Sequence, residues 1–165
     1  MGVFLFTDGS VNPQHGVGFG VYIAFMQEPD TIDELRECIK IKKFKNTSST
    51  RLELQTLLWA LSEISANEVT SFTDSQNIVG LLARKDRLVE NNYCSKSGKR
   101  ISNHELYKEF FEYTEKFNIQ FHHIQGHKPS RIKHRFDEIF TLVDRASRNA
   151  LRSYSKNTFQ SVAMK

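Results

Sequence analysis

At 165 residues and 19.1 kDa, the chain is long enough to bury one core and short for two domains of ordinary size. Hydrophobic residues at 39% and charged residues at 25% exclude a disordered polymer. No apolar run approaches the roughly 20 residues that cross a bilayer, which argues against a helical membrane protein. A net charge of +4 suits a polyanionic partner but decides little alone.

VFLFT at 3–7 is almost wholly apolar and predicts a strand buried on both faces. GFGVYIAF at 18–25 and the alternating RECIKIKKFK at 36–45 predict two more strands, the three forming an antiparallel meander. From Thr50 the period becomes helical through Leu54, Leu57, Leu58, Leu61 and Ile64. VTSFT at 69–73 predicts a fourth strand, followed by a helix over Asn77–Leu88 and a polar loop over 89–102. Leu106 to Phe117 predict another helix, IQFHHI at 119–124 a fifth strand, and Phe136 to Ala150 a last helix. The expectation is a single α/β domain over residues 1–152, with a mixed five-stranded sheet and helices on both faces. Residues 153–165 are expected to form a polar, frayed tail.

The opening MGVFLFTDGS has neither the basic start nor the cleavage site of a secretory signal, and Phe6 stands where a myristoylation signal takes Ser or Thr. The expected location is therefore the cytosol. Cys38 and Cys94 match no zinc or disulfide spacing, and Cys38 is expected inside the third strand. Gly16, Gly18 and Gly20 lack the spacing of a dinucleotide loop and are assigned to strand packing.

Asp8 and Asp74 each end an apolar strand, in TDGS and TDSQ. If those strands are parallel neighbours, both carboxylates emerge at the edge where open α/β sheets bind ligands. Like charges so placed call for a divalent cation bound through oxygen. Glu53 lies in the first turn of a helix and reads equally as the acid of a capping box begun by Thr50. Asp144 flanks the buried stripe of the last helix, and the helix pattern alone favours reading it as a solvated helix acid.

Together, TDGSVNP at 7–13, STRLEL at 49–54, TDSQ at 73–76, GHK at 126–128 and VDRASR at 143–148 resemble ribonuclease H of the type 1 family, over residues 3–152. The resemblance implies the ribonuclease H-like fold and an endoribonuclease that hydrolyses the RNA strand of RNA–DNA hybrids. It implies that Asp8, Glu53, Asp74 and Asp144 hold metal and that His127 assists proton transfer or product departure. Ser10, Asn12, Ser49, Thr50, Arg51 and Gln76 fall where the family grips the hybrid. The fourth acid has a competitor in Asp137, at the commoner spacing from the histidine; Ser147 and Arg148 following Asp144 favour Asp144.

Two Mg²⁺ ions, with Mn²⁺ as a substitute, suit such a carboxylate set, one activating water and the other neutralising the leaving oxygen. In that arrangement Asp8 bridges both ions, Glu53 and Asp74 complete one site, and Asp144 the other. The basic segment 84–103 either tracks phosphates or is an ordinary solvated loop, and a monomer is expected. The competing readings are a non-catalytic nucleic-acid-binding domain and a metal-dependent DNA nuclease or resolvase of the same fold.

Overall fold

The computed structural model describes residues 2–125 and 135–163, with side chains up to residue 158. β1 (Gly2–Asn12), β2 (Val17–Phe25) and β3 (Lys40–Phe44) form an antiparallel meander, while β4 (Glu68–Thr73) and β5 (Asn118–His123) add in parallel on the other side of β1. The strand order is β3-β2-β1-β4-β5, so β1 is central and buried on both faces, as its apolar run requires.

Alternation along β1 divides the core in two. Leu5 faces α2 (Ser49–Glu63) and α5 (His104–Lys116), packing with Leu54, Leu57, Leu61, Tyr107 and Phe110. Phe6 faces α6 (Arg135–Ala163), packing with Phe72, Ile139, Phe140 and Val143. Helices therefore cover both faces of the mixed sheet, in agreement with the expected architecture.

α2 seats unusually close to the sheet because glycines pave its landing site. A Cβ on Gly20 would lie 2.1 Å from Thr56 Oγ1, and one on Gly18 would lie 2.7 Å from a Leu52 methyl. The glycines thus serve backbone approach within a strand.

Three local expectations are corrected. Residues 36–39 do not extend the third strand: Ile32–Arg36 forms the short helix α1, whose Leu35 is buried beneath α6, and the strand starts at Lys40. Cys38 consequently lies outside the strand and is exposed. The helix expected over 77–88 breaks after Gly80 into α3 (Gln76–Val79), a 3₁₀ turn (Leu82–Arg84) and α4 (Lys85–Glu90). The tail does not fray at Ser153, since α6 continues unbroken to Ala163. No proline interrupts this stretch, and Tyr154 packs against Phe19 with ring centroids 5.6 Å apart.

Candidate active site

Phe6-Thr7-Asp8 on β1 and Phe72-Thr73-Asp74 after β4 are the same tripeptide on neighbouring parallel strands. Phe4 pairs with Thr70 and Phe6 with Phe72, so the same register carried two residues further sets Asp8 level with Asp74. The phenylalanines confirm it: their rings stack at 4.6 Å with planes 9° apart. Asp8 is buried, whereas Asp74 sits half-buried beyond the strand end. The Asp74 carbonyl lies 3.2 Å from His123 Nε2, a contact that places the ring proton on that nitrogen, because a carbonyl only accepts. Nothing in the run IQFHHI distinguishes His123 from its neighbour His122 as the histidine that meets this turn.

Glu53 reaches the same cleft, which Thr7, Asp8, Thr56, Thr73 and Asp74 also line. The capping-box alternative does not hold: the N-cap of α2 is Ser48, whose hydroxyl accepts from Arg51 N at 3.3 Å. Glu53 is instead hydrogen-bonded to the Ser75 side chain, and Ser75 also caps α3 by accepting from Ile78 N at 3.2 Å. Ser75 therefore ties the acid on α2 to the turn that presents Asp74. The sequence marks it only as the third letter of TDSQ.

Asp144 arrives on α6. Phe136 stacks on Phe4 and meets Phe72 at a tilt, setting the start of the helix at the level of the strand middles. Two turns later the Asp144 carboxyl is within hydrogen-bond reach of Asp8. One turn beyond, Ser147 is fully buried against β1. Its hydroxyl donates to the Asp144 carbonyl at 2.9 Å, so the 2.9 Å contact with Ser10 has Ser10 as donor. Arg148 Nε lies 3.0 Å from Asp144 Oδ1. Asp137 is buried seven residues earlier, about 10 Å back along the helix axis. The fold thus gathers Asp8, Glu53, Asp74 and Asp144 at one rim and leaves Asp137 behind it.

Burial first, and then the neighbouring Asp74 and Asp144 carboxyls, push the Asp8 carboxyl up to about 8 against a stabilising Gly9 N–H. Burial also raises Glu53, as does Asp74, while the Ser75 hydrogen bond lowers it. Asp8 sits where repulsion between carboxylates must be relieved by a proton or a cation. Among the described residues no three His, Cys, Asp or Glu side chains form a ready-made metal cage. The donors that do gather are all carboxyl oxygens, a set that fits a hard cation such as Mg²⁺ and not zinc.

The remaining candidates divide. Ser49 and Thr50 are exposed in the first turn of α2, and Gln76 is exposed at the start of α3 beside Asp74. Asn12 Oδ1 accepts from Gln14 N at 3.0 Å and holds the β1–β2 turn. Arg51 Nη1 spans to Asn103 Oδ1 at 3.1 Å and Glu105 Oε1 at 2.5 Å, tying α2 to α5. His127 lies outside the described residues. No helix among the described residues is long and apolar enough to cross a membrane.

A family model described as RNase H matches residues 1–147. The chain is 28% identical over 142 residues to a ribonuclease H of Chlorobium luteolum, covering 83% of this chain and 91% of the relative. It is 27% identical over 139 residues to a ribonuclease HI of Haemophilus influenzae, covering 82% and 84%. A probable ribonuclease H of Acanthamoeba polyphaga mimivirus is 30% identical over 87 residues, or 48% of this chain and 38% of the relative.

Proposed function

Since the chain belongs to the ribonuclease H family, we propose that it is an endoribonuclease hydrolysing the RNA strand of RNA–DNA hybrids, with Asp8, Glu53, Asp74 and Asp144 as its metal-holding acids. The observation that carries this reading is the position of Asp8, buried at the rim between Asp74 and Asp144. A carboxylate so flanked is costly unless it serves a bound cation.

Mg²⁺ held by these four acids would supply an activated water and neutralise the leaving oxygen. The protein's own part is to aim the acids and hold the duplex. The Ser10–Ser147 hydrogen bond clamps α6 to β1, and Arg148 holds one Asp144 carboxyl oxygen, Oδ1. Ser75 restrains Glu53.

Exposed Ser49 and Thr50 offer hydroxyls at the start of α2, where unpaired backbone N–H groups favour a phosphate. Gln76 on α3 is the candidate for reading a base or sugar edge in the minor groove, where 2′-hydroxyls distinguish RNA. Ser10, Asn12 and Arg51 act in part by shaping this surface, since Ser10 Oγ, Asn12 Oδ1 and Arg51 Nη1 are engaged within the protein. His127 is assigned proton transfer to or from the departing product.

The test offers labelled RNA–DNA hybrid, duplex DNA, duplex RNA and a four-way junction to the purified chain, in Mg²⁺ and in chelator. Metal-dependent cleavage confined to the hybrid RNA strand is expected. Hybrid binding without cleavage would restore the non-catalytic reading, and cleavage of the junction or DNA duplex the resolvase reading.

A further inference from the structure

An acidic rim must still hold a polyanion, and the last stretch of the chain carries basic residues without a single acid among them. Of 23 Lys and Arg and 19 Asp and Glu, five of the former and none of the latter fall in residues 145–165, so the rest of the chain is slightly acidic. We propose that the exposed basic face of α6, carried by Arg145, Arg152 and Lys156, is a second nucleic-acid contact that grips backbone phosphates of the hybrid away from the cut. This rests on the hybrid-cleaving reading of the acidic rim.

Helical spacing sets these residues in a line. At 3.6 residues per turn, positions 145, 152 and 156 fall within about 40° of one another. The opposite face holds buried Val143 and Ser147, with Tyr154 against Phe19, so the basic line points away from the sheet. All three side chains are exposed, and none forms an ion pair with a described residue. Arg148, paired with Asp144, lies between the acids and this line.

Compensation of the helix dipole does not account for the pattern. That effect fades within the last turn, whereas Arg145 and Arg152 stand three or more turns before Ala163. Lys156 is twelve residues beyond Asp144, about 18 Å along the axis. On a duplex that is about five base pairs from the scissile phosphate. Positive charges at that reach, on a stretch of helix with no acid after Asp144, complement a phosphate backbone.

The experiment compares wild type with Arg145→Gln/Arg152→Gln/Lys156→Gln and the charge-preserving Arg145→Lys/Arg152→Lys/Lys156→Arg. Hybrids extend roughly three or roughly twelve base pairs on each side of the cut, to stay within or pass beyond the proposed reach. On the long hybrid the Gln variant should lose about tenfold in kcat/KM, and its log–log salt slope should shrink by about 2 to 3. On the short hybrid, where only Arg145 beside Asp144 is in reach, both changes should be about a third as large or less, and the charge-preserving variant should match wild type on both.

Equal loss at both lengths, or none on the long hybrid, overturns the assignment. So does loss of binding to phosphatidylserine vesicles with hybrid kinetics unchanged, which would give the face to a membrane surface. If wild type cleaves neither hybrid, the underlying reading of the rim fails and takes this inference with it. Wild-type cleavage with a length-blind variant removes the basic face alone.

Discussion

Substituting Gly20 by Ala probes how the fold delivers Glu53 to the rim. The added Cβ would meet Thr56 Oγ1 at 2.1 Å and Thr56 Cβ and Cγ2 at 3.0 Å, where ordinary contact begins near 3.4 Å. Thr56 cannot swing away freely, because it is fully buried and its hydroxyl donates to the Leu52 carbonyl at 2.7 Å. Relief must come from lifting α2 off β2, which loosens the packing of Leu52, Leu54 and Leu57. Overpacking of this kind costs about 1–3 kcal/mol, or roughly 2–9 °C in Tm for a chain of this size. A reacting group displaced by about 1 Å costs on the order of 100-fold in rate, so hybrid cleavage well below Tm should also fall.

Thr56→Ala removes two of the three clashing atoms, Oγ1 and Cγ2, and should rescue part of both losses. Thermal unfolding and cleavage of wild type, each single variant and the double form a cycle. The coupling should exceed about 1 kcal/mol in the rescuing direction. Additive losses, or a Gly20→Ala protein with wild-type stability and turnover, would refute the idea that glycine-paved approach sets the height of α2.

Asp144→Asn should abolish most hybrid cleavage while leaving unfolding nearly unchanged; Asp137→Asn, at a buried position behind the rim, should change stability more than turnover. Reversed outcomes would transfer the fourth metal position to Asp137. Asp8, raised from 3.8 to about 8 in the metal-free fold, binds more protons folded than unfolded between those values. Stability contributed by its protonated form is thus present at low pH and lost as pH rises toward 8. Metal-free Asp8→Asn should accordingly be more stable than wild type by on the order of 1–3 kcal/mol at pH 8 and by little at pH 4; chemical denaturation in chelator at both pH values checks it. Ser147→Ala should cost about 1 kcal/mol by removing the acceptor for Ser10. A bulky Ser147→Leu should cost more and depress cleavage by forcing α6 off β1, as urea unfolding and turnover would report.

Much of the candidate site was legible because two of the candidate acids follow apolar strand runs. The runs VFLFT and VTSFT announce buried parallel neighbours, and a carboxylate directly after each must emerge at their shared end. What escaped were contacts between distant positions. Ser10 and Ser147 are 137 residues apart and individually unremarkable. Glu53 stayed ambiguous because Thr50 and Glu53 imitate a capping box, while the actual cap, Ser48, lies two residues earlier. Alternation in RECIKIKKFK overstated the third strand, because α1 has a single buried anchor, Leu35, too little to show a helical period. The length of α6 was missed for a related reason: past Leu151 it is polar on most sides, and Tyr154 supplies the late contact that pattern alone does not reveal.

The most direct measurement of the central claim is cleavage of a labelled hybrid in Mg²⁺ by purified Asp8→Asn, matched to wild type in folded content. Removing one charge from the carboxyl between Asp74 and Asp144 should reduce turnover at least about 1,000-fold, as expected when a preorganised charge at a reacting centre is lost. A folded Asp8→Asn protein that cleaves at the wild-type rate would contradict the account.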